Sequence, residues 1–253
     1  MQSCIRCGGK YDYDHLTFGH MGGFRCPRCG YARPDTRLSV SSILSKDMDS
    51  SRILIDMDGT EYPVRVNLPA EYNIYNAAGA IAALTAMDFD PRQAIAAVEG
   101  FRCGFGRMER FDSIGSAGAC MMLVKNPTGC SQVLEFISAL DQECCVVLCI
   151  NDRSGDGTDV PWLWDVEFEK LAAMGSKLDK VIVSGIRAAD MWTRLKYAGI
   201  PDEHISLERD YDALAQKLGN MDKPIFIIPT YSAMMDCRAA LVKHYGGAQF
   251  WEG

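Results

Sequence analysis

The stretch CCVVLCINDRSGDGTDVPWLWDVEFEKLAAMG, residues 144–175, runs from an unbroken apolar segment through a polar loop with glycines into a segment of helical spacing. A strand that is apolar at every position is one buried on both faces, and a helix after it brings the chain back for a parallel neighbour. The texture recurs on either side. ACMMLVK (119–125) precedes GCSQVLEFISAL (129–140), and KVIVSG (180–185) precedes RAADMWTRLKYAG (187–199). HISLE (204–208), YDALAQKLG (211–219), KPIFIIP (223–229) and YSAMMDCRAALVKHYG (231–246) continue the alternation to the end of the chain. Residues 113–253 therefore read as a Rossmann-like α/β domain with a parallel sheet covered on both faces, and its ligands are expected at the carboxyl ends of the strands.

Upstream the texture differs. RILIDMD (52–58) and EYPVRVNLP (61–69) alternate apolar and polar residues around Gly59-Thr60, which predicts a β-hairpin, while SVSSILSKDMDSS (39–51) before them reads as a serine-rich joint. EYNIYNAAGAIAALTAMDF (71–89) and PRQAIAAVEGF (91–101) carry helical spacing, the second with Pro91 in its first turn and Gly100 at its end. These segments assign 37–112 to a second domain. The first 36 residues hold CIRC (4–7) and CPRC (26–29), two Cys-x-x-Cys pairs whose spacer falls in the zinc-ribbon range. Four thiolates so arranged suit a tetrahedral Zn2+, and a closed four-sulfur site is structural rather than catalytic. Cys4, Cys7, Cys26 and Cys29 are the expected ligands; His15 and His20, in the spacer, read as exposed histidines.

Composition sets limits on function. The 253 residues are 48% hydrophobic, with a formal net charge of -7. That balance argues against nucleic acid as the main partner, because phosphate binding depends on Lys and Arg, although Arg6, Lys10, Arg25, Arg28, Arg33 and Arg37 give the ribbon local positive charge. No signal-peptide pattern and no membrane-length apolar run is present, and the remaining seven cysteines (Cys103, Cys120, Cys130, Cys144, Cys145, Cys149, Cys237) lie mostly in apolar runs without regular spacing. Reduced, buried thiols and a cytoplasmic location follow as expectations.

Polar clusters end two of the strands. VKNPTG (124–129) is one; the loop 150–165 is the other, with Asp152, Asp156, Asp159 and Asp165 beside Gly155, Gly157, Trp162 and Trp164. A solvated acidic loop is the plain alternative. Two tryptophans either pack inward and stiffen such a loop or face a partner. Asn73 and Asn76 lie a helical turn apart near a helix start, and Arg107 follows two glycines in what reads as a linker. No G-x-x-x-x-G-K-[ST] phosphate loop occurs in the sequence.

The segments CIRCGG and CPRCGYARP, YNIYNAAGAIAAL, FGRMERF, LVKNPTGCSQVL, INDRSGDGTDVPWLWDVEFE, RLKYAG and IIPTYSAMM together resemble the MurT-type subunits of lipid II isoglutaminyl synthase, in the Mur ligase superfamily. The resemblance implies that the ribbon (1–36) is an insertion in an ATP-binding central domain, of which 37–112 is the C-terminal part, and that 113–253 is the Mur ligase C-terminal domain. It implies ATP- and Mg2+-dependent amidation of the D-glutamate α-carboxyl of the lipid II peptidoglycan precursor. Ammonia comes from a glutamine amidotransferase partner, GatD, and the acidic loop supplies an aspartate to the partner's Cys-His pair. Asp156, between two glycines, is the first choice for that aspartate and Asp159 the second, with Asp165 expected to begin a helix. By the same resemblance Asn73 and Asn76 lie by the adenine, Arg107 contacts the nucleotide, and Lys125 and Asn126 face the peptide substrate. Family members carry a phosphate-binding segment before the ribbon, so the chain by itself is expected to be incomplete for ATP hydrolysis. A non-catalytic ribbon and Rossmann-like binding module is the alternative reading.

Overall fold

The computed structural model describes residues 3–17, 21–47, 50–101 and 107–247. Each cysteine pair of the N-terminal unit sits on a tight turn: Gly8 N–H donates to the Cys4 carbonyl at 2.8 Å and Gly30 N–H to that of Cys26 at 2.9 Å. Both glycines have left-handed φ values, 69° and 75°, which a side chain would disfavour. An antiparallel hairpin, β1 (Asp12–Thr17) and β2 (Met21–Arg25), joins the turns. Tyr11, Phe24 and Tyr31 pack beneath it, with the first two ring centroids 4.8 Å apart.

The serine-rich joint proves to be a strand. β3 (Leu38–Lys46) pairs antiparallel with β4 (Ser51–Met57), and β4 with β5 (Thr60–Val66). Serines at the outer edge of a sheet face solvent and need no apolar alternation on both sides, which is why β3 lacked the expected pattern. The β4–β5 turn is Asp58-Gly59, one residue before the expected place, and both residues have positive φ, as a two-residue type I′ hairpin requires. Helix α1 (Glu71–Ala86) and helix α2 (Pro91–Gly100) cover the sheet, and α2 is capped by the Asp90 carboxylate, which accepts from Arg92 and Gln93 N–H. Ile53, Ile55, Val64 and Val66 of the sheet meet Ile74, Ala77, Ile81, Ala94 and Ile95 of the helices.

The larger sheet contains β6 (Arg107–Phe111), β7 (Ala119–Met122), β8 (Cys144–Cys149), β9 (Leu178–Ser184), β10 (Ile205–Leu207) and β11 (Ile225–Pro229), in the order β10-β9-β8-β11-β7-β6. All neighbours are parallel except β6, which runs antiparallel to β7. Residues read as a linker, RMERF, thus form an edge strand. Every residue of β8 and β11 is buried. Each Val, Leu, Ile or Phe so buried contributes about 1.5–3 kcal/mol. Helices α3 (Pro127–Ser138), α4 (Glu169–Ala173) and α5 (Ala188–Tyr197) cover one face. Helices α6 (Tyr211–Leu218) and α7 (Tyr231–Tyr245) cover the other. No helix among the described residues is long and apolar enough to cross a membrane.

The last strand, β11, lies between β7 and β8. The chain leaves β8 toward α4 on one face and leaves β11 toward α7 on the other. Both loops lie at the carboxyl ends of the strands, the rim where open α/β sheets bind ligands.

Candidate functional site

Asn151, directly after β8, ties this rim together and is 2% exposed. Its backbone N–H donates to Thr230 Oγ1 at 3.0 Å, its Nδ2 donates to Ser232 Oγ at 3.0 Å, and its Oδ1 accepts Ile186 N–H at 2.9 Å. One side chain thus joins the loops that follow β8, β9 and β11. Gly185 permits the approach: at φ +85° it has left-handed backbone, and a Cβ there would lie 2.5 Å from the Ile150 carbonyl oxygen and 2.8 Å from Asn151 Oδ1. The sequence reading passed over Asn151, because its partners lie far along the chain.

Asp156 does not project from the loop, despite its flanking glycines. Its carboxylate is half-buried and accepts three donors: Ser232 N–H at 2.6 Å, Ser232 Oγ–H at 2.5 Å and Arg153 N–H at 3.1 Å. It therefore pins the loop to the first turn of α7, where the unpaired N–H groups and the helix dipole favour a negative charge. Asp159 is exposed and takes no hydrogen bond or ion pair among the described residues. Asp152 lies 3.7 Å from Arg187 Nε, which also pairs with Asp190 at 3.1 Å. Asp165, expected to begin a helix, instead ends a single 3-10 turn, Pro161–Asp165, and is exposed.

The two tryptophans divide the roles between them. Trp162 is half-buried against the core of the α3–α5 face. Trp164 is 53% exposed and meets Tyr197, 75% exposed, edge to face with centroids 5.4 Å apart. Arg194, 4% exposed, supports the turn from below. Its Nε donates to the Leu163 carbonyl at 3.2 Å and its Nη2 to that of Val166 at 2.8 Å, while the guanidinium stacks 5.5 Å from the Trp164 ring centre. Nη2 also meets Glu169 Oε1 at 2.9 Å. Partial burial raises the Glu169 carboxyl, but a backbone N–H and Arg194 outweigh it and bring the group below the usual range.

On the same rim, Lys125 Nζ stands 5.8 Å from the Tyr231 ring centre. Asn126 caps α3, its Oδ1 accepting Gly129 N–H at 2.8 Å. Asn73 and Asn76 lie elsewhere, in a mainly apolar cavity of about 300 Å3 between α1, α2 and the end of β5, lined also by Val66, Ala97, Val98 and Phe101. Asn73 does not cap its helix; its Nδ2 donates to the Pro69 carbonyl at 2.6 Å. Arg107 begins β6, and its side chain lies outside the described residues, as do Cys103 and His20.

The sulfurs of Cys4, Cys7, Cys26 and Cys29 lie within 4.8 Å of one another and can hold a metal ion. The Cys4–Cys29 and Cys7–Cys26 separations are 3.6 and 3.5 Å. A tetrahedron with Zn–S bonds of 2.3 Å has edges of about 3.8 Å, so the cluster fits such an ion. Burial opposes ionisation of Cys4, yet the N–H groups of Arg6 and Cys7 and the Cys29 and Tyr11 side chains bring it down to about 6. For Cys29, the Tyr31 N–H lowers the pKa, but burial and the neighbouring thiols push it up to about 12. Crowded sulfurs of this kind shed their protons together only when a cation is present. His15 pairs with Asp14 at 2.6 Å and is exposed, apart from the cluster. Burial pushes Cys130 to about 12 and Cys144 to about 11, as expected of inert interior thiols.

Residues 123–234 match the MurT ligase C-terminal family. The chain is 30% identical over 239 residues to the lipid II isoglutaminyl synthase (glutamine-hydrolyzing) subunit MurT of Streptococcus pneumoniae, covering 94% of this chain and 52% of that protein. It thus spans about half the length of that relative. A pseudomurein peptide ligase type C from Methanothermus fervidus shares the fold, with a TM-score of 0.64 at 21% identity over 96% of this chain and 49% of that one. So does a Mycobacterium tuberculosis folylpolyglutamate synthase complexed with ADP and AMPPCP, with a TM-score of 0.60 at 17% identity over 85% and 49%. The resemblance to MurT read from the sequence is borne out.

Proposed function

We propose that this chain, similar to MurT along nearly all its length, is part of the ligase subunit of a lipid II isoglutaminyl synthase. It would serve ATP-dependent amidation of the D-glutamate α-carboxyl of the peptidoglycan precursor, with ammonia drawn from glutamine by a GatD-type partner. The observation that carries the reading is the Asp159 carboxylate: exposed, unpaired among the described residues, and held in a loop anchored on both sides at the carboxyl-end rim of the sheet. A rigid free carboxylate on a protein surface suits a partner whose Cys-His pair lacks an acidic third member. Hydrogen-bonded to the imidazole, it fixes the tautomer and stabilises the imidazolium formed when the thiol loses its proton. Asp156 is already held by Ser232 and Arg153, so Asp159 takes this role and Asp156 supports the loop. The exposed Trp164 and Tyr197 rings supply apolar area for docking beside it.

The cavity beside Asn73 and Asn76 has the mainly apolar lining that an adenine ring needs, with the exposed Asn76 amide at its edge to hydrogen-bond ring nitrogens. ATP when bound supplies the phosphoryl group that turns a carboxylate into an acyl group open to ammonia. Phosphate contacts are assigned to no residue here, since the sequence contains no phosphate-gripping loop. The cysteine cluster would hold a structural Zn2+ that keeps the two knuckles closed and takes no part in the reaction.

The test is co-purification with the glutamine amidotransferase partner, followed by a glutamine-hydrolysis assay. Asp159→Asn is expected to lower glutamine hydrolysis at least tenfold in an intact complex. Full activity of that variant removes the loop from the mechanism.

A further inference from the structure

The loop that presents Asp159 is short on freedom. On its amino side Asp156 is fixed to the start of α7. On its carboxyl side the Val160 carbonyl accepts Leu163 N–H at 3.0 Å, and Leu163 is 2% exposed in the core under α3–α5. Between these anchors stand only Gly157, Thr158 and Asp159. Three residues span at most about 10 Å, so moving either anchor moves the carboxylate.

Arg194 secures the second anchor. It reaches the turn from α5 and, through Nε and Nη2, donates to two successive exits of that turn, the carbonyls of Leu163 and Val166. Its guanidinium lies over the rings of Trp164 and Phe168, 5.5 and 5.4 Å from their centres, and its charge is met by Glu169. A buried arginine costs desolvation that a leucine would not. Here its fork of donors does what an apolar side chain cannot: it fixes carbonyl positions in a turn of irregular backbone.

We propose that Arg194 is a positioning residue for the partner's glutaminase reaction: by holding the 161–166 turn it sets where the Asp159 carboxylate stands. The inference rests on the function proposed above. Asp159 touches the partner's histidine in that scheme, and Arg194 acts only through it. Lysine at 194 keeps the charge for Glu169 but lacks the rigid planar fork whose separate Nε and Nη2 donors fix the two carbonyls.

The experiment is a double-mutant cycle in the full ligase–glutaminase complex, with Arg194→Lys and Asp159→Ala. Glutamine hydrolysis, complex affinity and amidation driven by added ammonium are measured for each variant. Arg194→Lys is expected to lower glutamine hydrolysis about tenfold, measured with the ligase subunit in saturating excess over the partner, while ammonium-driven amidation is unchanged. In the Asp159→Ala background it should cause no further fall. Ser232→Ala, which loosens the other anchor, should lower hydrolysis a few-fold with the same dependence on Asp159. An equal loss from Arg194→Lys with and without Asp159, or a complex that no longer assembles, makes Arg194 a purely structural residue and overturns the proposal. If Asp159→Ala alone leaves glutamine hydrolysis untouched, it is the proposed function that fails.

Discussion

Asp156 and Asp159 are both loop aspartates, three residues apart, yet they stand in opposite surroundings, one bonded and one exposed, and thermal stability separates them without any partner. Asp156→Ala removes the acceptor for Ser232 N–H, Ser232 Oγ–H and Arg153 N–H. Loss of an equivalent cap costs about 0.5–2 kcal/mol. The further hydroxyl bond adds about 1 kcal/mol, discounted because the carboxylate is only half-buried and water replaces part of what is lost. A total near 2 kcal/mol corresponds to a Tm fall of about 4–8 °C for a chain of this size. Asp159→Ala removes no bond within the described residues and should change stability by less than about 0.5 kcal/mol, or under 2 °C. Differential scanning calorimetry of the two variants beside the parent decides the matter. Equal shifts, or a larger loss from Asp159→Ala, would refute the assignment of Asp156 as the anchor and Asp159 as the free carboxylate.

Gly185→Ala puts a Cβ 2.5 Å from the Ile150 carbonyl oxygen at a left-handed φ, so it should destabilise the chain by about 3 kcal/mol or more, read from urea unfolding. Glu109→Gln removes the negative charge that the buried Arg238 guanidinium meets at 2.8 Å; a loss of about 3 kcal/mol is expected at pH 7, and no loss would mean the edge strand is held by other contacts. Metal analysis of the purified protein should find one zinc per chain, lost in Cys26→Ser and kept in Cys130→Ser; zinc retained in Cys26→Ser rules out the four-sulfur site.

How much of this was legible depended on how local each signal is. The cysteine cluster was readable because each knuckle is closed within a few residues by its own backbone. Strands β7, β8, β9 and β11 were readable because burial on both faces leaves a continuous apolar run. β3 and β6 were missed for the opposite reason. An edge strand has one unpaired side, and β6 is secured by the Glu109–Arg238 pair, whose members are distant in sequence. The same distance hid Asn151, with partners at 186, 230 and 232. It also hid the bond between Asp156 and Ser232: flanking glycines announce freedom, but they cannot announce that Ser232 will arrive to use it.

The place of β11 between β7 and β8 bears on how the chain is made. At synthesis rates of roughly 5–20 residues per second, the middle slot of the sheet stays empty for ~4–16 s after β8 leaves the ribosome, because β11 follows about eighty residues later. During that interval two of the most apolar strands face each other across a gap with unpaired edges, a state prone to pairing with another nascent chain. Ribosome release ahead of residue 225 would therefore yield a sticky intermediate, and the yield of soluble protein should depend on chaperones more than the finished molecule's stability would suggest.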